Sequence, residues 1–112
     1  MRPELSIVDG LFTVHRFPPD HEIPQQVFGA PFYSISRSDD ELSIVCSASV
    51  PVHAERSESG WACIKVLGPL DFSLTGILAG IAAVLADAEI SIFAVSTFDT
   101  DYILVKAERL SA

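Results

Sequence analysis

Leu5-Ser6-Ile7-Val8 alternates apolar and polar positions, and Leu11-Phe12-Thr13-Val14-His15 resumes the pattern after Asp9-Gly10. A period of two marks a half-buried strand, and Asp-Gly between two such runs predicts a tight hairpin. Phe17-Pro18-Pro19-Asp20 ends that hairpin. Asp20 can cap a short helix through Val27-Phe28, with Pro24 tolerated only in its first turn and Gly29-Ala30-Pro31 as its stop. Two more strands are predicted over Phe32–Arg37 and Leu42–Cys46, joined by the charged turn Ser38-Asp39-Asp40-Glu41. Pro51 to Gly60 is polar and reads as loop.

The second half has a clearer pattern. Trp61–Leu67 is a predicted strand, and Gly68-Pro69-Leu70-Asp71 is a turn. Asp71 or Ser73 can cap the next helix, which runs to about Asp87. Leu74, Ile77, Leu78, Ile81 and Leu85 fall on one face of it, and Gly76, Ala79, Gly80, Ala82 and Ala83 on the other. No charge lies between Asp71 and Asp87. A helix packed on one side only shows a polar face, so both faces of this one are expected to be covered. Ile90–Val95 and Asp101–Lys106 are two further strands.

The two halves match at a constant offset. Asp39-Asp40-Glu41-Leu42-Ser43-Ile44-Val45 aligns with Asp99-Thr100-Asp101-Tyr102-Ile103-Leu104-Val105, 60 residues on. Each segment opens the second arm of a predicted hairpin, behind a helix and a strand. The plan is β-α-β-β twice, with a shorter helix in the first copy. Chance also makes such matches: Glu4-Leu5-Ser6-Ile7-Val8 fits Glu41–Val45 equally well without the offset. A duplication predicts an N-terminal half over 1–58 and a C-terminal half over 59–112.

Composition narrows the function. Of 112 residues, 49% are hydrophobic and 20% charged, enough apolar surface for a core. Fifteen acids against seven bases leave a net charge of −8, which argues against nucleic acid and against anionic membranes. The longest apolar run, Phe72–Ala86, is shorter than the roughly 20 residues of a spanning helix, and Met1-Arg2-Pro3-Glu4 opens no signal peptide. A cytoplasmic protein is expected. Cys46 and Cys63 have no C-x-x-C spacing and read as buried thiols. His15, His21 and His53 fall on different elements without ligand spacing, so no metal and no cofactor is expected. No nucleophile is paired with a base, so no catalytic residue is assigned.

Four segments together carry a resemblance: Ser34-x-Ser36-Arg37-Ser38-Asp39-Asp40-Glu41-Leu42-Ser43-Ile44-Val45-Cys46; Gly60-Trp61-x-Cys63-Ile64-Lys65; Gly68-Pro69-Leu70-Asp71-Phe72-x-x-Thr75-Gly76-Ile77; and Ser96-Thr97-Phe98-Asp99-Thr100-Asp101-Tyr102-Ile103-Leu104-Val105. The chain resembles the small bacterial tandem ACT-domain proteins, the regulatory ACT modules of aspartate kinases and those of the animal cytosolic arginine sensors. The resemblance covers about Phe32 to Leu110. It implies an α+β, ferredoxin-like ACT fold and an amino-acid-binding regulatory domain. ACT modules commonly pair side by side and place ligand at the interface between modules, so a homodimer is compatible with it. The first half departs from a full module in its short helix region, Asp20–Phe28, broken by Pro24.

The residues offer a route to a zwitterion. A carboxylate suits the N-terminus of a helix, where Ser73, Leu74, Thr75 and Gly76 stand, and Gly76 allows close approach. Asp101 or Asp71 can receive an ammonium group, although Asp71 can equally cap the helix. Gly68-Pro69 is a turn that can also serve as a ligand loop. By resemblance to the arginine sensors, Thr97, Phe98 and Asp101 line the pocket. The candidate ligand residues are therefore Gly68, Asp71, Ser73, Thr75, Gly76, Thr97, Phe98 and Asp101. Two functions are open: a non-catalytic amino-acid sensor, or an assembly module that binds no ligand and uses the small-residue helix face.

Overall fold

The N-terminal alternation forms one strand, not a hairpin. The computed structural model describes residues 5–66 and 76–109, with the side chains of residues 76–79, 81 and 82 excepted. Strand β1 runs unbroken over Leu5–Phe17. Asp9-Gly10 lies inside it, and Gly10 takes φ 87° there. Asp-Gly signals a position that needs a left-handed backbone, and a kinked strand meets that need as well as a turn does. Strand β4, Arg56–Val66, carries the same device at Gly60, φ 81°. A Cβ at either glycine would meet nothing within 4 Å, so the demand is on the backbone and not on space.

The chain divides into two compact units at these glycines. One is Gly10–Gly60; the other is Trp61–Ala112 with Met1–Asp9. In the first, β2 (Tyr33–Arg37) and β3 (Leu42–Ser47) form an antiparallel hairpin, in the order β2-β3-β1. Arg37 pairs with Leu42 and Tyr33 with Cys46, while Phe17 of β1 pairs with Leu42 and Phe12 with Ser47. Phe17, Leu42, Ile44 and Cys46 point to one face and make a core with Val27. The expected helix after Asp20 is only a 3-10 turn, Gln25–Gly29. Pro24 has no N–H to donate back to Asp20 and disfavours the α conformation at Ile23, so no helix runs on from Asp20, and the turn that follows buries Val27.

The second unit repeats the plan. Helix α1 spans Gly76–Asp87, then β5 (Ile92–Ser96) and β6 (Asp101–Lys106) pair antiparallel, in the order β4-β6-β5. Ala62, Val66, Ile103 and Val105 form its core, with Leu85, Ile90 and Ile92 packed against it. The helix ends in a Schellman pattern: Ile90 N–H donates to Leu85 O at 2.8 Å and Glu89 N–H to Ala86 O at 2.9 Å. Glu89 takes the left-handed position at φ 59°, where glycine is usual. Leu85 packs inward as expected. Leu74 and the side chains of Ile77, Leu78, Ile81, Ala79 and Ala82 lie outside the described residues. On the other face Gly80 and Ala83 are exposed and Val84 is 68% exposed, so the chain's described residues provide no second cover there.

Two further expectations differ from the structure. Arg56–Gly60 is strand, not loop, because its exposed polar side chains carry no apolar alternation to reveal it. The offset between the hairpins is 59, not 60: Tyr33 corresponds to Ile92, Leu42 to Asp101 and Ser47 to Lys106. Letter matching aligned the acid-rich turns and slipped by one. A slip of one residue exchanges faces, and at 59 Ile44 meets Ile103, both in their cores.

Candidate functional site

The turn between β5 and β6 gathers the described candidate residues. Thr97 N–H donates to Thr100 O at 2.8 Å, and the Thr97 hydroxyl donates to the same oxygen at 2.9 Å. Thr100 N–H donates back to Thr97 Oγ1 at 3.2 Å. Thr97 is thus spent on the turn itself. Thr100, 6% exposed, donates its hydroxyl to the carbonyl of Val66 and so pins the turn to the end of β4. Charge does not pick out a buried threonine; the signal was its place as the last residue of the turn. Phe98 stands at the tip, 79% exposed.

Asp101 opens β6 opposite Ser96. It shares a strand face with Ile103 and Val105, the face on which Leu85 of α1 packs. The residue as a whole is half-buried. Gly76 is the first described residue of α1. Gly68, Asp71, Ser73 and Thr75 lie outside the described residues. The described part of the site therefore offers half-buried Asp101 and exposed Asp99 at a braced turn with Phe98 at its tip: acceptor chemistry for a cation.

Elsewhere the polar groups have structural work. Lys106 Nζ lies 4.6 Å from the Trp61 ring centre and Lys65 Nζ 5.8 Å from that of Tyr102, both on the strand face opposite the core of this unit. The buried thiols are poor nucleophiles, since burial raises Cys46 and pushes Cys63 up to about 11. His15 is 5% exposed; its Nδ1 is 2.8 Å from Ser57 Oγ, while Nε2 is buried with no hydrogen-bond partner among the described residues. Burial lowers its pKa and keeps it neutral. Among the described residues no group of three His, Cys, Asp or Glu could hold a metal ion, and no helix is long and apolar enough to cross a membrane.

Known proteins place this arrangement. The ACT domain family model matches residues 56–112, and a second model, for an N-terminal domain, matches residues 10–52. The rat protein named cytosolic arginine sensor for mTORC1 subunit 1 is 31% identical over 95% of this chain and 35% of its own length. The human protein of that name is 30% identical over 96% and 35%. The chain thus spans about a third of the length of the curated relatives it matches. A crystal structure from Agrobacterium tumefaciens is 40% identical with a TM-score of 0.90, covering 99% of this chain and 83% of that one. Aspartokinase alpha and beta subunits share the fold at 14% identity and a TM-score of 0.63, over 96% and 89%. A Vibrio cholerae protein, titled a possible transport protein, does so at 15% and 0.72, over 97% and 82%. The mostly antiparallel α+β architecture is the ferredoxin-like ACT fold, and the chain belongs to the ACT domain family.

Proposed function

We propose that this chain is a non-catalytic regulatory domain that binds a small zwitterionic amino acid at a module interface. The observation that carries the reading is Asp101, a half-buried acidic residue at the start of β6, beside a turn held rigid by Thr97 and Thr100. Its placement suits an ammonium or guanidinium group, and Phe98 at the tip of the same turn offers a ring. Similarity to proteins named for arginine sensing supports the same class of ligand. Gly68, Asp71, Ser73, Thr75 and Gly76 complete the proposed site, with the helix N-terminus taking the carboxylate. Each half, 1–58 and 59–112, is read as one ACT-like module, and the protein as a cytoplasmic one that acts through a partner or a second copy. Ligand then works by stabilising one pairing of modules over another.

Calorimetric titration with a panel of amino acids tests the reading. Saturable heat with at least one of them is expected, and Asp101→Asn should weaken it about tenfold or more. Unchanged affinity in that variant removes Asp101 from the site.

The exposed face of α1 favours a second reading, an assembly module without ligand. Gly80, Ala83 and Val84 form an uncharged exposed surface. Under that reading Val84→Glu converts an oligomer to monomer in light scattering with no change in helix content. A mass that stays the same in the variant counts against it.

A further inference from the structure

Strand β2 is an end strand, and it lies in the unit Gly10–Gly60, every residue of which is described. Ser38 N–H donates to Glu41 O, so this is the closing hydrogen-bonded pair of the β2–β3 hairpin. Antiparallel pairs alternate between bonded and non-bonded. Ser36–Ser43 and Ser34–Val45 are therefore bonded pairs, while Arg37–Leu42, Ile35–Ile44 and Tyr33–Cys46 are not. The peptide groups of Tyr33, Ile35 and Arg37 thus point away from β3, out of the sheet edge. Among the described residues no backbone group bonds them there.

Edge strands are commonly blunted by a proline, a lysine or a bulge. Tyr33-Ser34-Ile35-Ser36-Arg37 has none of these, and its register with β3 is unbroken. Its one charge, Arg37, stands at the end and donates to the carbonyls of Pro19 and, at 2.9 Å, of His21. Tyr33 is 38% exposed; Phe28, 5.7 Å from it edge to face, is 53% exposed. The strand also complements itself. Laid antiparallel on a second copy about Ile35, it sets Ile35 against Ile35, Ser34 against Ser36 and Tyr33 against Arg37. The residues with outward peptide groups then meet one another, and each facing pair exchanges two N–H···O bonds. Isoleucines meet at the centre, and a tyrosine ring meets a guanidinium at each end. The acidic turns Ser38–Glu41 go to opposite ends of the seam. The other end strand, β5, has no such match: laid on itself about Ala94, it sets Ile92 against Ser96.

We propose that two copies of this chain join through β2, antiparallel and centred on Ile35. The seam needs no ligand and does not depend on the Thr97–Asp101 turn. It is short, so the dimer is weak and concentration-dependent.

The test is light scattering of the full chain over a concentration series, without amino acid. Wild type should rise from the mass of one chain to that of two. Ile35→Lys and Ile35→Glu each set like charges together at the centre of the seam and should weaken the dimer at least about tenfold. Mixed in equal amounts they set opposite charges together and should recover it. Tyr33→Pro covers the case in which a change at Ile35, which packs partly on the core, disturbs the fold. The N–H it removes bonds nothing within the chain, so the fold should stay while the dimer weakens about tenfold. Wild type that stays a single chain up to about 200 μM overturns the proposal. So does folded Ile35→Lys, or Tyr33→Pro, that dimerises as tightly as wild type, and so does a mixture of the two folded Ile35 variants that recovers nothing. Titration with amino acids, which tests the ligand reading, has no bearing on these outcomes.

Discussion

In the turn Ser38–Glu41 the side-chain oxygen of the first residue accepts from the amides of Asp40 and Glu41, while in Thr97–Thr100 it accepts from the fourth amide and donates to the fourth carbonyl. Backbone closure is the same in both, first N–H to fourth carbonyl, at 2.9 and 2.8 Å. The residue after the turn differs. Leu42, after the first, is fully buried in a core; Asp101, after the second, is a half-buried acid. At the tip Asp39 stands where the other turn has Phe98. One backbone plan therefore ends on a buried leucine in the first unit and on a half-buried acid in the second, while the first turn keeps its own acids, Asp39, Asp40 and Glu41, within it. Backbone pairing fixes the scaffold, and single side chains at matched positions decide whether it can receive anything.

Exchanging those residues should break the comparison most sharply. Leu42→Asp places an unpaired carboxylate in a core and should cost more than about 3 kcal/mol of stability by urea denaturation. Asp101→Leu should cost less than about 1 kcal/mol, because its position is only half-buried. Equal losses would mean that the two positions are not environments of different kind.

His15 gives a smaller contrast. Its counterpart in the strand pairing is Ile64, an apolar residue. Burial holds the folded His15 pKa below its ordinary 6.5. The folded state therefore binds the proton less readily than the unfolded chain. This contribution to stability is complete above pH 6.5 and is lost as the pH falls from 6.5 toward the folded value. His15→Ile should flatten the stability profile between about pH 7 and pH 5. A slope as steep as that of wild type would assign the acid sensitivity to other groups.

The smallest effect concerns α1, which has no full counterpart in the first unit. Glu89 sits in the left-handed region at φ 59°. Glu89→Gly should stabilise the chain by about 1 kcal/mol, read as a raised urea midpoint. A lowered midpoint would show that the Glu89 side chain contributes more than its backbone strain costs.

Much of this contrast was legible from the sequence. The β6 boundaries, Asp101–Lys106, follow from the apolar run, and the Ser38–Glu41 turn from its polar cluster. The end of α1 at Asp87 follows from its uncharged stretch. Asp9-Gly10 misled because a positive-φ glycine marks a backbone conformation and not a change of direction; which strand pairs with β1 is decided far along the chain, where β3 begins at Leu42. The helix after Asp20 failed because Pro24 lacks the N–H that would bond back to Asp20 and bars the α conformation at the residue before it. Within the candidate site, Asp101 was visible as an acid in a repeated turn. Thr100 and Arg37 were not, since their roles lie in contacts with Val66 and with Pro19 and His21, far away in the chain.

The most direct test is amide chemical-shift mapping of the full chain titrated with L-arginine. Both turns are observed in one experiment, so each is the control for the other. The account predicts saturable shifts at Thr97–Asp101 and none beyond scatter at Ser38–Leu42. Shifts of equal size at both turns, or shifts confined to Ser38–Leu42, would contradict it.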